Sequence, residues 1–296
     1  MSRIINIFVD FITYQAISSI GGIFIPYIRS YLNTEIYFEE YGEKSFPPLV
    51  MITGLASNML QWQPILIAEL SQHFRIILMD NRGCGRSGSS RRFYTMKTYA
   101  KDIISLLEYL RIEKASFLGH SLGGSIVQRF VIIYPDKIDK VVLISPDIGS
   151  LKRKFPSFRI LQMLLQGLDT DANTILKYAF CIQNNEETNK HSIRIALDCI
   201  ERVFRYYPIS KKDYYKQLLA VLFFSTFNQV KKIKNKTLIL TGDCDKIVSP
   251  ENAVRLARKL PYSTLTIMHN CGHLFLYDDL KPFLEEMYEF LGENSK

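Results

Sequence analysis

The chain of 296 residues carries a formal net charge of +8, and 47% of its residues are hydrophobic while 22% are charged. These proportions are ordinary for a globular protein with a large buried core, and they exclude disordered and fibrous proteins. The length suits one core of alternating strands and helices that carries an insertion.

The N-terminal segment, residues 1–33, is hydrophobic. Its apolar residues recur every three or four positions from Ile5 to Ile20, which predicts an amphipathic helix. The longest uncharged run, Phe11 to Ile28, contains polar residues, glycines and Pro26, and it falls short of the ~20 mostly apolar residues of a membrane-spanning helix. Packing against this chain or a second copy and peripheral membrane contact through residues 1–30 are both open interpretations. A spanning or cleaved segment is less favoured, since no cleavage signal follows.

Strand and helix patterns alternate over residues 34–147, the first part of the predicted core. Strands are predicted at EIYFEEYG, LVMIT, FRIILMD, KASFLGH and IDKVVLISP. Helices are predicted between them at QPILIAELSQ, YTMKTYAKDIISLLEYLRI and SLGGSIVQRFVIIYP. This alternation predicts an α/β fold with a mostly parallel sheet flanked by helices.

The alternation stops over residues 148–232, where four helical stretches follow one another without a strand. It returns over residues 233–296 with the strands KTLILTGD and STLTIMH, so the helical stretches are predicted to be an insertion into the core. Residues 151–236 contain sixteen Lys or Arg against seven Asp or Glu. Such an excess favours an anionic substrate, an acyl carrier or a membrane surface, and nucleic acid is disfavoured because no nucleic-acid-binding motif is present.

The chain has five cysteines, which are Cys84, Cys181, Cys199, Cys244 and Cys271. They are widely scattered, and their spacing does not match that of zinc-binding sites. We expect reduced thiols in a cytoplasmic protein, with membrane association left open. Packing roles are expected for Cys244 and Cys271.

The stretch GHSLG, with Ser121 between Gly119 and Gly123, fits the pattern G-x-S-x-G and lies between a predicted buried strand and a predicted helix. In this setting the serine occupies a strained turn that exposes its hydroxyl, and side chains at the two glycines would clash with the adjoining strand and helix. The pattern therefore predicts a nucleophile at Ser121.

A serine nucleophile needs a base and a group that orients the base, and in this type of fold the order along the chain is serine, acid, histidine. Asp243 and Asp245 follow a predicted strand. We choose Asp245, which lies beyond the strand end, and expect Asp243 to serve the turn. His273, in a loop after the last strand, is the predicted base.

We expect the other four histidines to have structural roles. His269 is expected to pack at the strand end, and His120 to form a wall beside the nucleophile. Ordinary surface or packing roles are expected for His73 and His191. The oxyanion of an acyl-transfer intermediate needs amide donors, which we assign to the backbone of Leu122 and, from the loop after LVMIT, of Leu55.

The segment DNRGCGRS, Asp80 to Ser87, together with GHSLGG, resembles segments of the α/β-hydrolase fold superfamily, and residues 34–296 are similar to its capped serine esterases and lactonases. The resemblance implies an eight-stranded, mostly parallel sheet with a helical cap inserted after the sixth strand. It makes Ser121, Asp245 and His273 the triad, and it gives Asp80 to Ser87 a structural role. Thr53-Gly54 stands where many members have His-Gly.

The leading hypothesis is a cofactor-independent and metal-independent serine hydrolase of carboxylic esters, lactones or thioesters, acting through an acyl-enzyme. Residues of the insertion are expected to line an acyl pocket or to form the core of the insertion: Met163, Leu164, Leu165, Phe223 and Phe224. A carbon-carbon bond hydrolase or an acyltransferase would use the same groups. A non-catalytic binding protein is less favoured, because all three triad residues are present.

Overall fold

The computed structural model describes residues 26–149, 153–181 and 186–292, and the side chains of 186–189 are not described. The amphipathic helix predicted between Ile5 and Ile20 lies outside these ranges.

Eight strands form one sheet in the order β1-β2-β4-β3-β5-β6-β7-β8. β2 runs antiparallel to both β1 and β4, and the remaining pairs are parallel, so the predicted eight-stranded, mostly parallel sheet is confirmed. The strands are β1 (Tyr27–Ser30), β2 (Thr34–Tyr41), β3 (Pro48–Ile52), β4 (Arg75–Met79), β5 (Ala115–His120), β6 (Ile138–Ile144), β7 (Thr237–Gly242) and β8 (Ser263–Met268).

The first strand was not predicted, and it extends the sheet into the segment assigned to residues 1–33. β1 has only four residues, too few to show an alternating pattern, and Tyr27 pairs with Tyr37 across the antiparallel ladder. Ser30 donates a hydrogen bond of 2.6 Å to the carboxylate of Asp102, which also forms a fully buried ion pair with Arg82. Through Asp102, Arg82 thus ties the DNRGCGRS segment to β1, in agreement with the structural role that the resemblance implies.

Helices cover both faces of the sheet. Within the described ranges they are α1 (Pro64–Leu70), α2 (Met96–Tyr109), α3 (Leu122–Ile133), α4 (Phe158–Gln166), α5 (Ala172–Ala179), α6 (Glu186–Tyr206), α7 (Lys211–Leu222), α8 (Pro250–Ala257) and α9 (Leu280–Gly292). Apolar side chains of α2, α3 and α8 pack in one buried cluster on the sheet, and those of α1 and α9 pack in a second. The sheet therefore separates two cores, as its parallel strands require.

Helices α4 to α7 lie between β6 and β7 and are called the inserted helices below. Their last member is tied to the core at its first turn, where Asp213 accepts hydrogen bonds from the hydroxyls of Tyr94 (2.6 Å) and Ser89 (2.7 Å). Four helices thus follow the sixth strand of the structure and precede the seventh. None of the helices within the ranges described is long and apolar enough to cross a membrane.

Candidate active site

The predicted nucleophile Ser121 lies at the turn between β5 and α3. Its backbone has φ 54° and ψ −114°, a conformation that a residue with a side chain rarely adopts. A Cβ at Gly123 would lie 2.2 Å from the carbonyl oxygen of Ile52, and one at Gly119 would lie 2.5 Å from that of Gly123. The two glycines therefore permit the close approach of helix and strand that holds Ser121 at the turn.

The predicted acid and base are in contact. Nδ1 of His273 lies 2.7 Å from Oδ2 of Asp245, and both side chains are buried. The other carboxylate oxygen of Asp245 accepts hydrogen bonds from the amides of Ile247 and Val248 at 2.9 and 2.8 Å. The carboxylate of Asp245 is thus fixed on one side by two backbone amides and on the other by the imidazole ring of His273.

A second aspartate and histidine pair lies close by in sequence but at the surface. Nδ1 of His269 is 3.3 Å from Oδ2 of Asp243, and the His269 side chain is 85% exposed. The expectation that His269 packs at the strand end is wrong, because its side chain points into solvent. Asp243 also accepts a bond from the amide of Cys271, which agrees with a role in the turn.

A buried hydrogen-bonded chain joins the loop after β3 to the loop that carries His273. The amide of Gly54 donates to Oε1 of Gln61 (3.1 Å), and Nε2 of Gln61 lies 2.9 Å from Nδ1 of His120. Since the Gln61 amide nitrogen can only donate, His120 accepts at Nδ1 and donates from Nε2 to the carbonyl oxygen of His273 (3.2 Å). Burial, and secondarily the nearby His273, lower the pKa of His120 to about 3, so the ring is neutral.

His120, predicted only to form a wall beside the nucleophile, therefore also links Gln61 to the backbone of His273. Gln61 carries no sequence signal for this contact, because the two residues are 59 positions apart and belong to no common motif.

The two predicted oxyanion donors, Leu55 and Leu122, both line the same cavity as Ser121 and His273. The amide of Leu122 belongs to the first turn of α3, where N–H groups have no acceptor within the helix. The amides on either side of Leu55 are engaged, Gly54 with Gln61 and Ala56 with Gln217. The Leu55 amide lies between them at the cavity wall.

The cavity has a volume of about 510 Å³ and is lined mainly by apolar side chains of the core loops and the inserted helices. Of the five predicted pocket residues, Met163 and Leu164 line it. Leu165 and Phe223 do not, and they are 53% and 83% exposed. Phe224 is buried against Gly149 instead. The pocket prediction is wrong for these three. Leu165 points away from the cavity because successive residues of a helix point about 100° apart, whereas Phe223 and Phe224 follow the last residue of α7.

Two cysteines correct a further expectation. Cys181, just after α5, and Cys244, just after β7, form a disulfide, so the prediction of five reduced thiols is wrong for this pair. The partners are 63 residues apart in sequence, and the bond joins the end of α5 to the loop after β7. Cys84 and Cys199 are buried free thiols, and Cys271 is half-buried.

The end of α5 contacts both loops that carry the candidate acid and base. Cys181 is bonded to the residue before Asp245, and the carbonyl oxygen of Ala179 accepts a hydrogen bond of 3.1 Å from the amide of Leu274. The inserted helices therefore support the position of Asp245 and His273 as well as covering the cavity. Among the residues described, no group of three His, Cys, Asp or Glu side chains is placed to hold a metal ion.

Comparison with known proteins gives matches over most of the chain. The RutD protein of Agrobacterium fabrum, whose name refers to carbamate hydrolysis, is 27% identical over 259 residues, which cover 86% of this chain and 98% of RutD. The poly(3-hydroxyalkanoate) depolymerase of Ectopseudomonas oleovorans is 26% identical over 258 residues, which cover 85% of this chain and 87% of the depolymerase.

Among solved structures, the enol-lactonase from Burkholderia xenovorans LB400 aligns with a TM-score of 0.77 at 23% identity, over 90% of this chain and 100% of the lactonase. At this identity the likeness speaks for the fold alone. Residues 47–280 match the family described as alpha/beta hydrolase fold. Because this match spans most of the chain, the protein belongs to the alpha/beta hydrolase fold family and is a hydrolase.

Proposed function

We propose that the protein is a serine hydrolase that cleaves carboxylic esters, lactones or thioesters through Ser121, His273 and Asp245. The observation that carries this proposal is the buried 2.7 Å contact between His273 and Asp245 at the wall of the cavity that Ser121 also lines. A histidine oriented by a carboxylate beside a serine on a strained turn is the arrangement that activates a serine hydroxyl.

In the first half of the reaction, Nε2 of His273 takes the proton of Ser121 while Oγ bonds to the substrate carbonyl carbon. The amides of Leu55 and Leu122 donate to the resulting oxyanion, and each such donor contributes a factor of about 100 or more in rate. The intermediate collapses with cleavage of the bond to the alcohol or thiol, which leaves with the proton held by His273. The product of this half is an acyl group on Ser121.

In the second half, His273 takes a proton from water, which attacks the acyl carbon, and the same two amides bind the second oxyanion. Collapse breaks the bond to Oγ, and His273 returns the proton to Ser121 as the carboxylic acid is released. All the groups in both halves come from this chain, the substrate and water.

The relatives support an acyl substrate with a heteroatom leaving group. A polyester and a carbamate, the compounds to which their names refer, both have a carbonyl carbon bonded to oxygen or nitrogen. The apolar lining of the cavity, to which Met163 and Leu164 contribute, suits the hydrocarbon part of such a substrate. The excess of basic residues in 151–236 favours an anionic partner, and carriage of the acyl group by an acidic protein stays a prediction.

The test is the release of p-nitrophenol from acetate, butyrate, octanoate and palmitate esters, in the burst phase and at steady state. We expect wild type to turn over at least one ester and Ser121→Ala to lose at least about 10³-fold in kcat. Ser125→Ala is the matched control, because it removes a hydroxyl from the same cavity wall one helical turn further on and should retain turnover within about tenfold. Hydrolysis retained by Ser121→Ala would refute the assignment of the nucleophile.

A further inference from the structure

The inserted helices carry an unusual number of exposed apolar side chains on their outer surface. Phe158 and Phe223 are the most exposed, at 79% and 83%, and both lie at ends of helices. We call the exposed apolar residues of α4, of α7 and of the residues next to them the apolar rim: Phe155, Phe158, Leu165, Tyr215, Leu219, Leu222 and Phe223. A globular protein rarely leaves such a cluster in contact with water unless it binds something.

Two contacts join α7 to α4 and to the residues that precede α4. Tyr215 donates its hydroxyl proton to the carbonyl oxygen of Leu165 at 3.0 Å. At the other end, the guanidinium of Arg153 bonds to the carbonyl oxygen of Leu222 and lies 5.7 Å from the ring of Phe155. The exposed residues of the two helices therefore form one surface.

The rim adjoins the cavity. Phe155 and Leu222 belong to both, since they are exposed and also line the cavity with Ser121. On α4 and α7 the side chains of Leu164 and Leu218 face the cavity, while neighbours such as Leu165 face solvent. A surface helix ordinarily carries polar residues on its outer face, so apolar side chains on both faces indicate that the outer face is also covered in use.

Exposed basic residues lie near the apolar rim. Lys154, Arg159, Lys211 and Lys212 are exposed near it. Although Lys154 pairs with Glu251 and Lys211 with Asp169, basic residues outnumber acidic ones by sixteen to seven over 151–236. A symmetric contact between two copies would place these like charges against each other, which disfavours a second copy as the occupant. Aromatic side chains that protrude between cations suit an anionic lipid surface, where the rings enter the interface and the cations contact headgroups.

We propose that the apolar rim docks on the surface of an anionic lipid bilayer and so places the cavity against it. The docking itself is independent of catalysis. Its consequence, that esters dissolved in the bilayer enter between Phe155 and Leu222 without crossing water, rests on the proposed function.

The test is co-sedimentation of the full chain with vesicles of phosphatidylglycerol or of phosphatidylcholine at low salt. We expect wild type to bind phosphatidylglycerol vesicles, and the double variant Phe158→Ser/Phe223→Ser to bind about tenfold more weakly or less, because each change removes a ring that would enter the interface. Tyr262→Ser is the control. Tyr262 is 58% exposed but precedes β8, at the edge of the sheet opposite the cavity.

Several outcomes would overturn the proposal. Equal sedimentation of wild type and the double variant would mean that another part of the chain binds the vesicles, and equal binding to phosphatidylcholine would remove the role of charge. A wild-type dimer that the double variant dissociates would identify a second copy as the occupant. Hydrolysis of soluble p-nitrophenyl butyrate, measured on the same samples, separates the two proposals: vesicle binding without turnover defeats only the proposed function, and turnover without binding defeats only the docking.

Discussion

At the scale of residues, two aspartates that follow β7 each meet a histidine, and their surroundings differ. The contact between Asp245 and His273 is buried, and two backbone amides hold the carboxylate. The contact between Asp243 and His269 is longer and open to solvent. The effects of replacing each aspartate on activity can therefore be compared directly.

We expect Asp245→Asn to lower kcat by about 10³- to 10⁴-fold, because the amide would hold the His273 ring in the wrong tautomer. Asp243→Asn should cost less than about fivefold, since an exposed pair contributes little. Steady-state kinetics on the best p-nitrophenyl ester, with circular dichroism to verify folding, measures both. A larger loss in Asp243→Asn would mean that the acid is Asp243.

His120 should make the stability of the protein depend on pH. Its folded pKa of about 3 is below the value of about 6.5 in the unfolded chain, so the unfolded state binds the extra proton first as the pH falls. The contribution of His120 is fully present above about pH 6.5 and decreases below it, by about 2 kcal/mol at pH 5.

Urea denaturation of wild type and His120→Asn at pH 8, 7, 6 and 5 tests this effect. Asparagine keeps a polar group near Gln61 but does not titrate, so the difference in unfolding free energy between the two proteins should shrink by about 2 kcal/mol from pH 8 to pH 5. A difference that stays constant with pH would show that His120 is not held neutral.

At the scale of elements, the strand, turn and helix formed by β5 and α3 could be predicted because their glycines leave a local pattern. The features that were not predicted have no such local pattern. β1 has four residues beside a hydrophobic segment, and the outward direction of Leu165 and Phe223 depends on where the neighbouring helices lie. The disulfide between Cys181 and Cys244 forms because two distant parts of the chain meet in the fold, and the spacing of the cysteines in the sequence does not indicate this pairing.

Adjacent glycines at the start of α3 should respond differently to substitution. In Gly123→Ala the new methyl group would meet the carbonyl oxygen of Ile52 at 2.2 Å, and backbone on both sides must move. In Gly124→Ala the closest atoms are 3.3 Å and 3.6 Å away. We expect Gly123→Ala to lose about 1–3 kcal/mol of stability and most of its activity, and Gly124→Ala to be near neutral, since alanine favours a helix by about 1 kcal/mol over glycine. Thermal melts and ester kinetics on both variants measure this, and similar behaviour of the two would contradict it.

At the scale of the whole molecule, the sheet order explains how much of the candidate site could be predicted. The parallel strands β3, β5, β7 and β8 have their carboxyl ends on the same side of the sheet. Ser121, Asp245 and His273 could therefore be predicted to lie near one another, because each follows one of these strands. The chain from Gln61 to His120 could not, because it is a contact between loops that no single loop specifies.

The start of the folded core is testable by two truncations. A chain that begins at Pro26 keeps β1, and we expect its kcat/KM on a soluble ester to stay within about twofold of wild type. A chain that begins at Tyr31 loses the buried Ile28 and the bond from Ser30 to Asp102, and should be less stable by at least about 2 kcal/mol. Chemical denaturation and kinetics on both chains measure this. If the chain that begins at Pro26 failed to fold, the first 25 residues would belong to the core.

The separation of the site along the chain also affects biosynthesis. His120 contacts the carbonyl of His273 across 153 residues, so the proposed nucleophile, Ser121, leaves the ribosome well before the proposed base, His273, does. At roughly 5–20 residues per second, this interval is about 8–30 seconds. During that time the nascent chain can form the strands around Ser121 but lacks His273, so under the proposed mechanism a partly synthesised molecule would be unable to attack cellular esters.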